Sequence, residues 1–163
     1  IYEGTNGIQA MDLLGRKLGL NKGRAFRALV EKVKETIEKT RAVSGLEALA
    51  GSLAEAVNHL VETAGSLGAA AAKGEVETAF AWARPFQDVT GDTLMAWMLL
   101  WRAGIAVEKL QGKVKKKDQA FYEGQIASAR FFITSILPAT LGKMAAVQAM
   151  DHTAVTMEEA AFG

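Results

Sequence analysis

The feature that most constrains this chain is the spacing of its apolar residues. Phe26, Leu29, Val30, Val33 and Ile37 recur at intervals of three and four, the period of one face of an α-helix. Leu46, Leu49, Leu53, Val57, Leu60, Val61, Ala64 and Leu67 continue that period over a second, longer seam. No stretch alternates apolar and polar residues as a half-buried strand does, and β-branched clusters are absent. The pattern therefore predicts an all-α fold: a short N-terminal helix followed by an antiparallel bundle of about four main helices. With 163 residues the chain is about one domain long, enough to bury a core.

Local signals divide the pattern. Gly4 to Gly7 is a turn entering a helix that carries Ile8, Met11, Leu13 and Leu14, and Gly15 to Gly23 reads as a connector. A charged surface helix then runs from Arg24 to about Ser44-Gly45. Its outer face offers Arg27–Glu31, Lys34–Glu38 and Glu35–Lys39 as i,i+4 pairs. The next helix spans Leu46 to about Ala72. Its internal Gly51, Gly65 and Gly68 each cost about 1 kcal/mol relative to Ala, which suggests close helix–helix approach or local weakness. Pro85 is expected to stop a short helix begun at Glu75, with Gln87 to Asp92 as the following turn. Leu94 to Leu110 is apolar nearly all round and is expected to be the most buried helix. Asp118 is expected to cap the next helix, which Pro138 should kink or break before it resumes to about Met150. A turn and a short helical piece near Met157 to Ala161 complete the chain.

Composition removes whole classes of chemistry. The chain has no Cys, which excludes disulfides, zinc ribbons, iron–sulfur ligation and thiol catalysis within it. Two His residues, His59 and His152, leave little for a metal site, and none is expected. Nineteen basic and eighteen acidic residues give a net charge of +1, a balance that does not point to nucleic acid or a membrane surface. The one basic cluster, Lys109, Lys113, Lys115, Lys116 and Lys117, reads as a solvated loop. The longest purely apolar run, Leu94 to Trp101, is eight residues, far below the ~20 of a membrane-spanning helix. No signal peptide is visible, and a cytoplasmic location is expected. Because the first residue is Ile, the N-terminus is expected to be a cut rather than a beginning.

Most other distinctive side chains have structural explanations. His59 and His152 read as boundary histidines, and Arg102 as a snorkelling or paired cation. Trp97 and Trp101, and the aromatics Phe121, Tyr122, Phe131 and Phe132, read as bundle core. Trp82 and Phe86 are placed to cover an end of the bundle. What remains is the N-terminal segment. It sets a carboxylate, Glu3, beside Gly4 and just before a helix start, where Gly4 allows close approach of a ligand to the backbone. Thr5 can cap the helix, and the N–H groups behind it favour an anion.

Tyr2-Glu3-Gly4-Thr5 followed by Ile8-Gln9 resembles the catalytic-base segment of the acyl-CoA dehydrogenase family. Asp12-Leu13 with Gly15-Arg16-Lys17-Leu18 extends the likeness to bacterial members that carry an extra C-terminal helical domain. Asp88-Val89-Thr90-Gly91, the Trp-rich helix, and Phe121-Tyr122-Glu123-Gly124 through Ala129-Arg130-Phe131 to Leu137-Pro138 fit that domain. The resemblance implies α,β-dehydrogenation of an acyl-CoA thioester to the 2-enoyl-CoA, with FAD as cofactor. By the same resemblance Glu3 is the base, Gly4 lies next to the substrate, and Thr5, Asn6 and Gly7 lie along the FAD. It also implies electron-transfer flavoprotein as acceptor and a homo-oligomer. Residues 1–20 would then end the catalytic domain, and 21–163 would form an accessory bundle. The remaining pocket-building parts of the family are outside this chain, so it is expected to bind no FAD and to be inactive alone. A second reading makes the bundle an interaction module that packs on the dehydrogenase core or joins a dimer.

Overall fold

The computed structural model describes residues 4–163, which fold entirely as helices and connecting turns. The helices are α1 (Asn6–Asp12), α2 (Leu20–Arg41), α3 (Glu47–Ala72), α4 (Val76–Ala81), α5 (Ala83–Leu110), α6 (Lys116–Phe131), α7 (Leu137–Ala149) and α8 (Thr153–Thr156). Wider π turns at Leu13–Lys17 and Phe132–Ile136 join α1 towards α2 and α6 to α7, and a 3-10 turn at Glu159–Phe162 follows α8. Four long elements make the bundle: α2, α3, α5, and the continuous pair α6–α7. Arg102 on α5 meets Gln125 on α6, and Asp92 on α5 meets Thr140 on α7, so this pair of elements runs antiparallel.

The apolar seams read from the sequence meet at the centre. Val33 and Ile37 of α2, Leu49, Leu53 and Val57 of α3, Ala96 and Leu100 of α5, and Ile133 and Leu137 form one buried cluster. Leu60, Leu67, Phe86, Val89, Met144 and Val147 form a second towards the other end, and Phe26 and Leu141 touch both. Each such large side chain contributes about 1.5–3 kcal/mol by leaving water. Few polar groups enter: Thr40, Thr63, Thr90 and Thr93 are buried, and each donates its hydroxyl to a carbonyl one turn back in its own helix.

Several local expectations change. Pro85 does not stop a helix. It sits in the first turn of α5, where its missing N–H has no intrahelical partner to lose, so Gln87 to Asp92 is helix rather than turn. The break falls earlier, at Trp82 (φ −92°, ψ 4°). Pro138 does not break its helix. The preceding turn widens at Phe132–Ile136, Leu137 N–H bonds to Phe132 O, and Pro138 takes the first turn of α7. Lys115, in extended backbone, holds the cap position of α6, and Asp118 lies inside the first turn. The lysine cluster is exposed but only partly loop: Lys109 ends α5, while Lys116 and Lys117 begin α6.

The helical piece expected near Met157 to Ala161 is the 3-10 turn at Glu159–Phe162, and a further short helix, Thr153–Thr156, precedes it. On α2 the ion pairs formed are i,i+3: Lys32–Glu35 at 2.9 Å, Lys34–Glu31 at 3.2 Å and Arg41–Glu38 at 3.1 Å. Arg27 donates instead to Lys22 O at 2.9 Å, closing a left-handed run at Asn21, Lys22 and Gly23 that precedes the regular part of α2. Gly51, Gly65 and Gly68 do not mark close approach, since a Cβ at each would meet nothing within 4 Å. The close approaches are at Gly15 against Phe80 and Gly104 against Thr40.

Two expectations about burial are also corrected. α5 is not buried all round: Met95, Trp101 and Ile105 are about half exposed. Phe121 and Phe131 on α6 are more than half exposed, so bundle packing does not account for them. By length and composition the helix Lys116–Ala149 is long and apolar enough to cross a membrane. Its inner residues Ile133, Leu137, Met144 and Val147 are built into the bundle core, as in a packed domain helix.

Candidate functional site

The N-terminal turn rides on the bundle through α1. Ala10 is 1% exposed, and Leu13 and Leu14 pack against the cluster around Phe86 and Val89. Asp12 accepts two hydrogen bonds from Arg16, at 2.5 Å and 2.9 Å, and lies 3.2 Å from Lys17 Nζ. The Arg16 guanidinium holds the Asp12 carboxyl down at about 2. These contacts clamp the end of α1 to the following π turn.

Of the sequence-predicted site residues, Glu3 lies outside the described residues. Gly4 is exposed at φ +69°, a left-handed conformation that favours glycine, and a Cβ there would meet nothing within 4 Å. Thr5 occupies the cap position of α1, and its carbonyl accepts from Gln9 N–H at 2.9 Å. Its hydroxyl makes no capping bond, contrary to the capping role read from the sequence. Asn6 and Gly7 begin α1 and are exposed. The structure thus brings Gly4, Thr5, Asn6 and Gly7 together on one open turn. Among the described residues they form an exposed edge, with no side chain within 4 Å of a Cβ at Gly4 or Gly7. They line neither of two grooves of the bundle, one between α2 and α5 and one beside α3.

Those grooves lie elsewhere. One, of about 640 Å³, runs between α2 and α5, with Trp97, Trp101 and Ile105 on one side and Thr36, Lys39 and Val43 on the other. Trp97 and Trp101 stack with centroids 6.0 Å apart and planes 17° from parallel. Trp97 is half-buried and donates its indole N–H to Thr36 Oγ1 at 2.8 Å. The second groove, of about 550 Å³, lies between the π turn after α1 and the glycine-rich stretch of α3. The i,i+4 tryptophans were visible in the sequence, but the half-open groove beside them was not.

The other candidates are structural. His59 Nδ1 is 3.5 Å from Glu62 on the same exposed face. His152 Nδ1 shares a 3.1 Å hydrogen bond with Thr78 Oγ1, and Trp82 donates to Asp151 O at 3.2 Å; together they hold the tail to α4. The hydrogen bond from Thr153 holds the Asp151 carboxyl below its usual range. Arg102 donates to Gln125, not to an acid. Among the described residues no three metal-ligating side chains converge.

The acetyl-CoA dehydrogenase C-terminal-like family model matches residues 29–158, most of the bundle. The chain belongs to this family. The match begins in α2 and ends after α8, so it covers the accessory-type helices and not the N-terminal turn. Among its acyl-CoA dehydrogenase relatives, a broad-specificity linear acyl-CoA dehydrogenase of Mycobacterium tuberculosis is 28% identical over 99% of the chain and 27% of its own length. A 3-methylmercaptopropionyl-CoA dehydrogenase of Ruegeria pomeroyi is 34% identical over 84% of the chain and 23% of its length. A butyryl-CoA dehydrogenase of Syntrophomonas wolfei is 27% identical over 99% of the chain and 26% of its length. The chain spans about a quarter of the length of these relatives. Family members of this kind therefore carry far more polypeptide than the bundle and turn described above.

Proposed function

We propose that this chain acts as the C-terminal part of an FAD-dependent acyl-CoA dehydrogenase, supplying the catalytic base on its N-terminal turn. The observation that carries the reading is the coincidence of two features. The bundle belongs to the dehydrogenase C-terminal-like family, and upstream of the matched helices the sequence reads Tyr2-Glu3-Gly4-Thr5, of which Gly4 and Thr5 lie exposed at the start of α1. The relatives' names all specify acyl-CoA thioesters, which supports that substrate class.

In this reading Glu3 removes the α-proton of the thioester. Its carboxylate needs a raised pKa for the task, which burial against substrate supplies. The Glu3 backbone N–H donates to the thioester carbonyl and stabilises the enolate-like charge. Gly4, in its left-handed conformation, leaves room for the acyl portion to approach the backbone. Thr5, Asn6 and Gly7 would hold one edge of FAD, mainly through backbone groups. The open, unobstructed turn fits such an edge contact, while enclosure must come from polypeptide beyond this chain. Bound FAD supplies the acceptor for the β-hydrogen as hydride. Residues 1–20 would close the catalytic domain and 21–163 form the accessory bundle, a division supported by the left-handed run at Asn21–Gly23. An electron-transfer flavoprotein acceptor and a cytoplasmic location belong to the same proposal.

The test is activity of the longer enzyme against a panel of acyl-CoA thioesters, with enoyl-CoA formation as readout. Turnover of at least one thioester is expected, and none across the panel by an FAD-loaded enzyme would overturn the reading. The 163-residue chain mixed with FAD and desalted should keep no flavin absorbance, and retained flavin would contradict its being only an exposed edge.

A further inference from the structure

The geometry points to the groove between α2 and α5 as a binding site for a fatty carboxylate, one extended hydrocarbon chain ending in an anion. The site stands apart from the chemistry proposed for Glu3, because Gly4, Thr5, Asn6 and Gly7 do not line it. Thr36 accepts a hydrogen bond from Trp97, and Thr40 stands against Gly104, so the two helices run parallel and close together. Gly104 puts no side chain into the space above this contact. Trp101 and Ile105, on the α5 wall, stay 49% and 44% exposed although both are large and apolar.

Size selects a slender occupant. On α2 the lining runs from Lys32 to Val43, about 16 Å along the helix axis. A volume of about 640 Å³ over that length leaves a cross-section of about 40 Å². A helix about 10 Å across fills about 80 Å² and does not fit. The length matches one acyl chain, two of which span the ~30 Å hydrocarbon core of a bilayer.

Polarity selects a hydrocarbon over an extended peptide. A peptide brings an N–H and a C=O at every residue, and each needs a partner once water is gone. The floor of the groove has no donor to spare. Thr36 Oγ1 accepts from Trp97 Nε1 at 2.8 Å and donates to Lys32 O at 3.2 Å. Thr40 Oγ1 donates to Thr36 O at 2.8 Å. Both hydroxyl hydrogens and the Trp97 N–H are spent within the bundle, which leaves methyl and ring surface for a ligand. Charge then selects the head group. At one end of the groove Lys32 and Glu35 neutralise each other at 2.9 Å. In the other half stands Lys39, and among the described residues no carboxylate lies within ion-pair distance of it. Glu108 lines the same half without an ion pair, but Lys109 and, in the turn after α5, Lys113 and Lys115 outnumber it and are equally unpaired. The local excess is positive, so a carboxylate on the ligand gives Lys39 the partner that the fold does not.

The experiment uses the whole 163-residue chain and dodecanoate below its micelle concentration. Trp97 and Trp101 line the groove, and Trp82→Phe removes the third tryptophan, so all indole emission then reports on the site. Emission should shift to the blue and saturate at one dodecanoate per chain. No saturable shift up to millimolar dodecanoate would overturn the proposal. Dodecanol, with the tail and no charge, should bind at least tenfold more weakly, and equal affinity would overturn the head-group assignment. Butyrate, with the head and almost no tail, should give no shift, and a shift equal to that of dodecanoate would overturn the hydrocarbon assignment. Lys39→Gln should weaken dodecanoate about tenfold and leave dodecanol unchanged, and loss of both or of neither would overturn the role of Lys39. Ile105→Glu sets a carboxylate on the exposed wall and should weaken dodecanoate at least tenfold. Unchanged binding, with circular dichroism showing folded protein, would place the ligand elsewhere and overturn the site.

Discussion

Gly104→Ala tests the packing of α5 on α2 at atomic resolution. An alanine in place of glycine inside a helix normally gains about 0.5–1 kcal/mol, because the unfolded chain loses freedom and the helix does not. At position 104 the added Cβ would stand 3.1 Å from Thr40 Cγ2, closer than a comfortable carbon–carbon contact. Thr40 cannot easily turn away. It is 4% exposed, and its hydroxyl donates to Thr36 O at 2.8 Å. Overpacking of this kind costs about 1–3 kcal/mol, so the net change is a loss of up to about 2 kcal/mol. Gly51→Ala on α3 is the control, since a Cβ there meets nothing within 4 Å and should give the full gain. Thr40→Ser removes the obstructing methyl and keeps the hydroxyl. In that background Gly104→Ala should become stabilising by about 0.5–1 kcal/mol. Urea melts of the unmodified protein and the four variants supply the values. Equal stabilisation by Gly104→Ala and Gly51→Ala in the unmodified background would refute the close approach.

Phe86→Ala empties a fully buried site between α3, α5 and α7 and should cost about 3–5 kcal/mol in urea melts. Less than 1 kcal/mol would mean that the second cluster is not core. Asp92→Ala removes the acceptor of the 2.9 Å bond from buried Thr140 and should cost about 1–3 kcal/mol by the same assay. No loss would show that this α5–α7 tie contributes nothing. The Asp12 carboxyl should titrate near 2 by side-chain carbon NMR, and Arg16→Gln should move it towards 3.8. Because the folded-state value is depressed, the stability it lends is present above about pH 4 and lost as pH falls through about 2. A midpoint near 4 in the unmodified protein would refute the Arg16–Asp12 clamp.

Most of the architecture was legible because burial leaves a periodic trace. The seams of α2 and α3 and the turn between them appear in the sequence at nearly their observed positions. Proline was harder to read, because its effect depends on position within a helix. Pro85 and Pro138 look like stops in isolation and are starts in the structure, where a missing N–H is harmless. Glycine misled for a related reason. Gly51, Gly65 and Gly68 sit in the longest apolar seam but face open space, while the true contact points, Gly15 and Gly104, depend on which helix lies opposite. The all-round apolar character of α5 was visible, but not that only its inner face is buried within this chain. Of the candidate site, Gly4 at a left-handed turn and the helix start behind it were foreseeable from the residues. The capping role of Thr5 was not realised: it holds the cap position of α1, but its hydroxyl makes no bond to the first-turn N–H groups.

Glu3→Gln in the longer, FAD-loaded enzyme tests the central functional claim most directly. The amide keeps the size of the side chain and removes the base. Anaerobic mixing with an acyl-CoA substrate, followed by the loss of visible flavin absorbance, isolates the reductive half-reaction from the electron acceptor. The account predicts retained FAD and a reduction rate lowered by about 10²–10⁴-fold, the range a positioned general base supplies. Flavin reduction at the unmodified rate, with FAD still bound, would contradict it.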